Sequence, residues 1–214
     1  MIAAIAVTAL AALAGFHASS QPLSAPVRQE VVAANEWHAG CPVTPSQLRV
    51  LTVTYLGFDG RAHTGQLVVN AAAVTPLTEV FRRLYALRFP IRHMALSDTY
   101  GPARGRPKDG DVTASFECRQ ASASPCTSVA STGTGSWSEH AYGEAVDLNP
   151  VENPYVGCGM TRDATARSYM NRSDVRRGMV TPAVVEAFRS AGWGWGGAWS
   201  GSTQDYMHFS ATGH

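Results

Sequence analysis

Two short stretches of this chain, far apart in sequence, must meet in space if either is to be of use. The first runs from His140 through Ala141, Tyr142, Gly143, Glu144, Ala145 and Val146 to Asp147, and the second is Asp205-Tyr206-Met207-His208. Between them they offer two imidazoles and a carboxylate, a ligand set that suits zinc. A structural zinc is normally closed by four Cys or His ligands, whereas a catalytic zinc takes three protein ligands and keeps one position for water. His140, Asp147 and His208 are therefore the candidate zinc ligands. The spacing of His140 and Asp147 is wrong for adjacent turns of a helix, so the pattern calls for a turn that runs into a strand. His208 then belongs on a final strand lying antiparallel beside Asp147. The small residues Gly143 and Ala145 would let backbone or substrate approach closely.

Asp205 stands three residues before His208. In a regular strand those positions face opposite sides, so a bend must bring Asp205 round to the same point. There its carboxylate can take a proton from water attacking a carbonyl and hand it to the leaving amine. The alternative is that it only orients His208. Arg119, in Ser115-Phe116-Glu117-Cys118-Arg119, is the candidate substrate anchor, because a guanidinium grips a carboxylate in bidentate fashion or steadies an oxyanion.

At 214 residues, 45% hydrophobic and 15% charged, the chain suits one well-buried globular domain. Seventeen basic against sixteen acidic residues leave a formal charge of +1, which gives no electrostatic reason to expect nucleic acid. Arg82, Arg83, Arg88 and Arg92 bunch together and read as a solvated helix face. Met1 to Phe16 is almost entirely apolar and Ala12-Leu13-Ala14 resembles a cleavage site, so residues 1–18 read as a signal peptide, though without the usual basic start. That stretch falls short of the roughly 20 apolar residues of a span. The expected product is a secreted or cell-envelope monomer with no stable membrane span after leader cleavage. Residues 19–36, polar and Pro-containing, read as a linker, and residues 37–214 as the domain. Cys41, Cys118, Cys126 and Cys158 suggest two disulfides beside such a leader. Of the three pairings, Cys118–Cys126 with Cys41–Cys158 is preferred, since it closes a short loop.

Arg49–Tyr55 and His63–Val69 read as strands of a hairpin around Gly57-Phe58-Asp59-Gly60. Thr75-Pro76 reads as the N-cap and first position of a helix whose Leu77, Val80, Phe81, Leu84 and Leu87 recur at helical spacing. Ile91–Leu96 is a further strand candidate. Ser97–Trp137, rich in Gly, Pro, Ser and Thr, reads as a binding loop, with Ala121–Gly135 as its disordered piece. Thr181-Pro182 opens a shorter helix that stops near Gly192. Trp193–Phe209 reads as two short strands. Trp193, Trp195 and Trp199 read first as sheet packing and second as cleft walls. The sum is a single compact α+β domain, its sheet mostly antiparallel with flanking helices.

Ser138-Glu139-His140-Ala141-Tyr142-Gly143-Glu144-Ala145-Val146-Asp147 resembles the S-x-H-x-x-G-x-A-x-D motif of the M15 zinc peptidases. Those include D-alanyl-D-alanine carboxypeptidases and dipeptidases, and phage L-alanyl-D-glutamate endolysins. Asp205-Tyr206-Met207-His208-Phe209 resembles the second motif of that family. Asn149-Pro150, Asn153-Pro154-Tyr155 and Gly192 to Gly197 are similar to its secreted or envelope bacterial members. The likeness runs from about Cys41 to Phe209 and is most specific from Phe116 onward. It implies a DD-peptidase/hedgehog-like fold with zinc, held by His140, Asp147 and His208, at the floor of a cleft. It implies Asp205 as general base, Arg119 as the F-x-C-R arginine that contacts substrate, and Ser138 as the motif serine that supports the site and the substrate. The activity implied is hydrolysis of peptidoglycan stem peptides, by a D-alanyl-D-alanine carboxypeptidase or an L,D-type endopeptidase. The alternative is a non-catalytic zinc-bearing cell-wall-binding module, which the presence of Asp205 argues against. Asp111-Val112-Thr113-Ala114-Ser115 departs from the Asn-Thr-Ser-Ala form of this branch.

Overall fold

Both faces of one β-hairpin are covered, and that double burial organises the chain. The computed structural model describes residues 15–96, 110–127 and 132–214. Most of the apolar leader, residues 1–14, thus lies outside the described residues, as do residues 97–109 and 128–131 of the expected binding loop. Strand β1 (Ala18–Pro22) and helix α1 (Ala25–Ala33) precede the hairpin of β2 (Leu48–Gly57) and β3 (Ala62–Asn70). β2 and β3 pair antiparallel from Leu48↔Asn70 to Leu56↔Ala62, and β1 adds antiparallel to the other edge of β2. Successive strand side chains point to opposite faces. Leu51 and Val53 accordingly enter one core and Leu48 and Val50 a second.

The second core explains a difference from the sequence reading. Residues expected to be a linker form β1 and α1, which bring Leu23 and Val31 onto the far face of the hairpin. The apolar residues of that segment are too sparse to give a helical stripe, and its order comes from the sheet it covers.

Helix α2 (Val74–Ala86) buries Leu77, Val80, Phe81 and Leu84 on the first face. Leu87, the fifth residue of the expected stripe, is 49% exposed, because the chain leaves the helix through a left-handed turn at Arg88 (φ 54°). Thr75 lies inside the helix rather than capping it. The capping side chain is Asn70, whose Oδ1 accepts the Ala72 N–H at 3.1 Å at the head of the preceding 3-10 turn.

Two-residue strands β4 (Pro90–Ile91) and β5 (His93–Met94) follow, β4 parallel to β2 and β5 parallel to β6 (Val112–Thr113). Part of the stretch expected to be disordered is an antiparallel ribbon of β7 (Gln120–Ser122) and β8 (Thr132–Trp137). Then come α3 (Glu139–Tyr142), β9 (Ala145–Asp147), β10 (Tyr155–Gly157), α4 (Pro182–Arg189), β11 (Gly194–Trp195), β12 (Thr203–Asp205) and β13 (His208–Ser210). Three strands thus stand where two were expected at the end. β11, β13 and β9 form one small antiparallel sheet, and β10 with β12 another. Helix α4 carries Val184, Ala187 and Phe188 into the first core, where the Phe188 ring stacks on Phe209 at 3.7 Å. This is an α+β fold. Among the described residues, no helix is long and apolar enough to cross a membrane.

The disulfides correct the preferred pairing. They join Cys41 to Cys118 and Cys126 to Cys158, with Cα–Cα separations of 5.8 and 5.0 Å. Cys118 is buried in the second core, against which Cys41 packs, and its N–H is tied to the Glu36 carbonyl at 2.8 Å. Strand β7 then carries the chain away from that core, so Cys126 meets Cys158 beside Ser202, whose carbonyl accepts the Cys158 N–H at 2.8 Å. Loop length favoured the short closure, but the intervening strand separates its ends.

The stacked Phe188–Phe209 pair joins α4 to the sheet that carries His208. Phe188→Ala should lower the free energy of unfolding by about 3–5 kcal/mol, measured by urea denaturation. A loss under ~1 kcal/mol would mean that this contact does not anchor the sheet.

Candidate active site

His140 sits on a single helical turn. Ser138 caps that turn, its Oγ accepting the His140 N–H at 3.3 Å. Gly143 ends it in the left-handed conformation (φ 69°), where a Cβ would lie 2.6 Å from the Asn70 nitrogen. Only a glycine lets the turn close against β3, and the Gly143 carbonyl accepts the Asn70 N–H at 2.8 Å. The chain then enters β9, which ends at Asp147, and β13 pairs with it in the register His208↔Asp147.

Three donor atoms converge there. His140 Nε2 is 3.2 Å from Asp147 Oδ1, His208 Nδ1 is 3.3 Å from the same oxygen, and the two nitrogens are 3.2 Å apart. Tetrahedral zinc with bonds of 2.0–2.1 Å separates its ligand atoms by about 3.3 Å, so this triangle has the dimensions of one face of such a site. His140 Nδ1 is 2.5 Å from the Ser115 carbonyl. A carbonyl only accepts, so the ring proton sits on Nδ1 and Nε2 presents its lone pair. The imidazole side chains are 6% exposed and Asp147 is 21% exposed, which leaves the cluster approachable from the carboxylate side. Burial alone would raise the pKa of Asp147, but the two imidazoles hold it far below the carboxylate range. Burial would lower that of His208, but hydrogen bonding to Asp147 and the Asp147 charge outweigh it and the net shift is upward.

Asp205 reaches the same place through a corner. It is the last residue of β12 and His208 the first of β13, and the two strands lie in different sheets. Tyr206-Met207 turn between them. Gly196 packs beneath this corner, where a Cβ would lie 2.6 Å from the Asp205 carbonyl oxygen and 3.3 Å from His208 Cβ. Asp205 Oδ1 is shielded from solvent and has no hydrogen-bond partner among the described residues. Burial first, and the negative charge of Asp147 second, push this carboxyl up to about 7, against the lowering effect of His208, His140 and Arg119.

A cavity of about 440 Å³ opens over the cluster, lined among others by Arg119, Trp137, Ser138, Tyr155, Trp199 and Asp205. A smaller one of about 110 Å³ is also lined by His140 and Asp147, together with Val112, Ala114, Phe116 and Glu117. The Cys41–Cys118 disulfide adjoins Arg119. The Arg119 guanidinium donates to Glu117 Oε2 at 2.5 Å and to Ser122 Oγ at 3.1 Å, so it is held rather than free. Ser138 also donates its N–H to the Arg119 carbonyl at 3.1 Å, coupling the anchor candidate to the His140 turn. All six sequence-selected residues thus border one cavity.

Of the three tryptophans, only Trp199 lines that cavity. Trp193 is buried in the first core, and Trp195 packs against Phe209 and Tyr206. Tyr155 and Glu117 were not selected from sequence. Tyr155 arrives by pairing with Asp205 across β10–β12, a relation that leaves no local sequence signal, whereas Glu117 stands two residues before Arg119 and its opposite charge was the available signal. A second group of metal-ligand types, His38, Cys41 and Cys118, has both sulfurs in a disulfide and offers no thiolate.

Residues 132–211 match the family model described as D-alanyl-D-alanine carboxypeptidase, an M15 peptidase model. That span is similar to the M15 peptidases. It contains His140, Asp147, Asp205 and His208, while Arg119 precedes it. No curated protein and no solved structure matches the chain.

The raised Asp205 carboxyl has a consequence for the metal-free protein. Its folded pKa of about 7 lies above its ordinary 3.8, so over that window the folded state keeps a proton the unfolded chain has lost. Stability therefore declines as pH rises through the window. Asp205→Asn should flatten that decline in urea titrations of chelated protein at several pH values. An equal decline in the variant would remove Asp205 as its source.

Proposed function

We propose that this protein is a zinc metallopeptidase that hydrolyses peptidoglycan stem peptides outside the cytoplasm. The observation that carries the reading is the tetrahedron-sized triangle of His140 Nε2, Asp147 Oδ1 and His208 Nδ1, with Asp205 close by in sequence and lining the same cavity. The M15 family match and the two disulfides support the substrate class and the oxidising location. When bound, zinc supplies Lewis acidity, polarising a carbonyl and lowering the pKa of water from 15.7 toward about 7.

The remaining roles belong to the chain. His140, Asp147 and His208 hold the cation and Ser138 fixes the turn that presents His140. Asp205 takes the proton of the attacking water and returns it to the departing amine. Arg119, braced by Glu117 at the cavity wall, presents its positive charge to a substrate carboxylate or to the oxyanion. Removal of a terminal D-alanine is the preferred reaction, as the family description names it. A cut within the stem is the second reading, favoured by the second cavity that His140 and Asp147 also line.

Mass spectrometry of muropeptides incubated with zinc-loaded and chelated protein tests both. Zinc-dependent loss of one D-alanine from pentapeptides supports the carboxypeptidase, and release of a stem fragment the endopeptidase. No change with folded, metal-loaded protein would favour a binding module. His140→Ala and His208→Ala should lose both metal and hydrolysis. Asp205→Ala should retain zinc and lose roughly 10²–10⁴-fold in turnover; unimpaired turnover would sink the assignment of the base. Arg119→Ala should raise the KM for stem peptides, and unchanged kinetics would remove its anchoring role.

A further inference from the structure

We infer that the segment after β13, Ala211–His214, is a positioning element for the metal site, acting through the backbone carbonyl of His214. The inference rests on the zinc reading of the His140–Asp147–His208 cluster. His208 turns Nδ1 toward the cluster and Nε2 toward the His214 carbonyl, 3.0 Å away. That oxygen can only accept, so the contact keeps a proton on Nε2 and leaves Nδ1, which faces Asp147 and His140, as the nitrogen available to a metal. Ser115 does the same for His140 from within the domain. His208 depends instead on a tail that leaves the sheet and folds back.

The fold-back is built rather than incidental. Ser210 Oγ donates to the same His214 carbonyl at 2.8 Å and accepts the Gly213 N–H at 3.0 Å. Trp199 Nε1 donates to the Gly213 carbonyl at 2.6 Å, and the Ala211 N–H is held by the Glu144 carbonyl at 3.0 Å. Gly213 takes a left-handed conformation (φ 82°) and passes Gly194 so closely that a Cβ there would lie 2.5 Å from Gly213 Cα. Four contacts thus direct one carbonyl at one imidazole nitrogen. Partners of this kind fix the tautomer and ring orientation of a metal-binding histidine, and losing one typically costs 10–100-fold in metal affinity or activity.

The test compares wild type with a chain ended after Thr212, with Ser210→Ala and with Ser210→Thr. Zinc affinity is read by chelator competition and the His208 tautomer by ¹⁵N NMR of metal-free protein. The shortened chain should bind zinc about 10–100-fold more weakly and lose its uniform Nε2–H tautomer. Ser210→Ala should weaken binding less, and Ser210→Thr, which keeps a hydroxyl, should restore it. Ser210→Ala carries the test if the shortened chain does not fold. Variants that keep the metal-free melting temperature, the wild-type zinc affinity and the wild-type tautomer would overturn the inference. If wild type itself binds no zinc, the metal reading fails, while the tautomer measurement still decides whether the tail sets the His208 ring.

Discussion

The antiparallel pairing of Asp147 with His208 is the contact around which the other elements are arranged. Side chains directly opposite each other across such a ladder have Cβ atoms about 4.5–5.5 Å apart, close enough for a carboxylate and an imidazole to share one point. A slip of one residue would send one of them to the opposite face. The register is held from behind by apolar burial, because Val146 and Phe209, paired with each other, point into the core under α2 and α4. Packing on one face of a three-stranded sheet thereby fixes the chemistry on the other.

The rest of the site is attached to that ladder by changes of direction. A one-turn helix closed by Gly143 delivers His140, and the corner at Tyr206-Met207, seated on Gly196, delivers Asp205. Both depend on a glycine at a point where backbone approaches backbone or a Cβ. The Cys41–Cys118 bridge ties the segment of Arg119 to the second core, so the large cavity has one wall anchored to each core.

Electrostatics then divides two buried carboxylates. Asp147 lies against two imidazoles and stays ionised, whereas Asp205 has an unpaired oxygen and a negative neighbour, and in the metal-free protein its carboxyl is pushed up to about 7. That separation arises from the partners each acid meets and not from its own residue type.

Much of the candidate site was legible in the sequence, because His140, Asp147 and His208 stand at a spacing that only a turn-and-strand path can bring together. His140, Asp147, Asp205, His208, Arg119 and Ser138 could each be chosen as chemistry-bearing residues, and the α+β class, the hairpin and the two amphipathic helices followed from local patterns. Relations between distant segments were decided only in the tertiary structure. The partner of each cysteine depended on where β7 carries the chain, and residues 19–36 became strand and helix because a sheet face needed covering. Tyr155 and the His214 carbonyl reached the site through pairings and contacts that leave no local mark. Sequence determined which groups could do chemistry, since that is a property of residue type and local spacing. Tertiary structure decided which groups they meet, since burial, register and hydrogen-bond partners are properties of the packed chain.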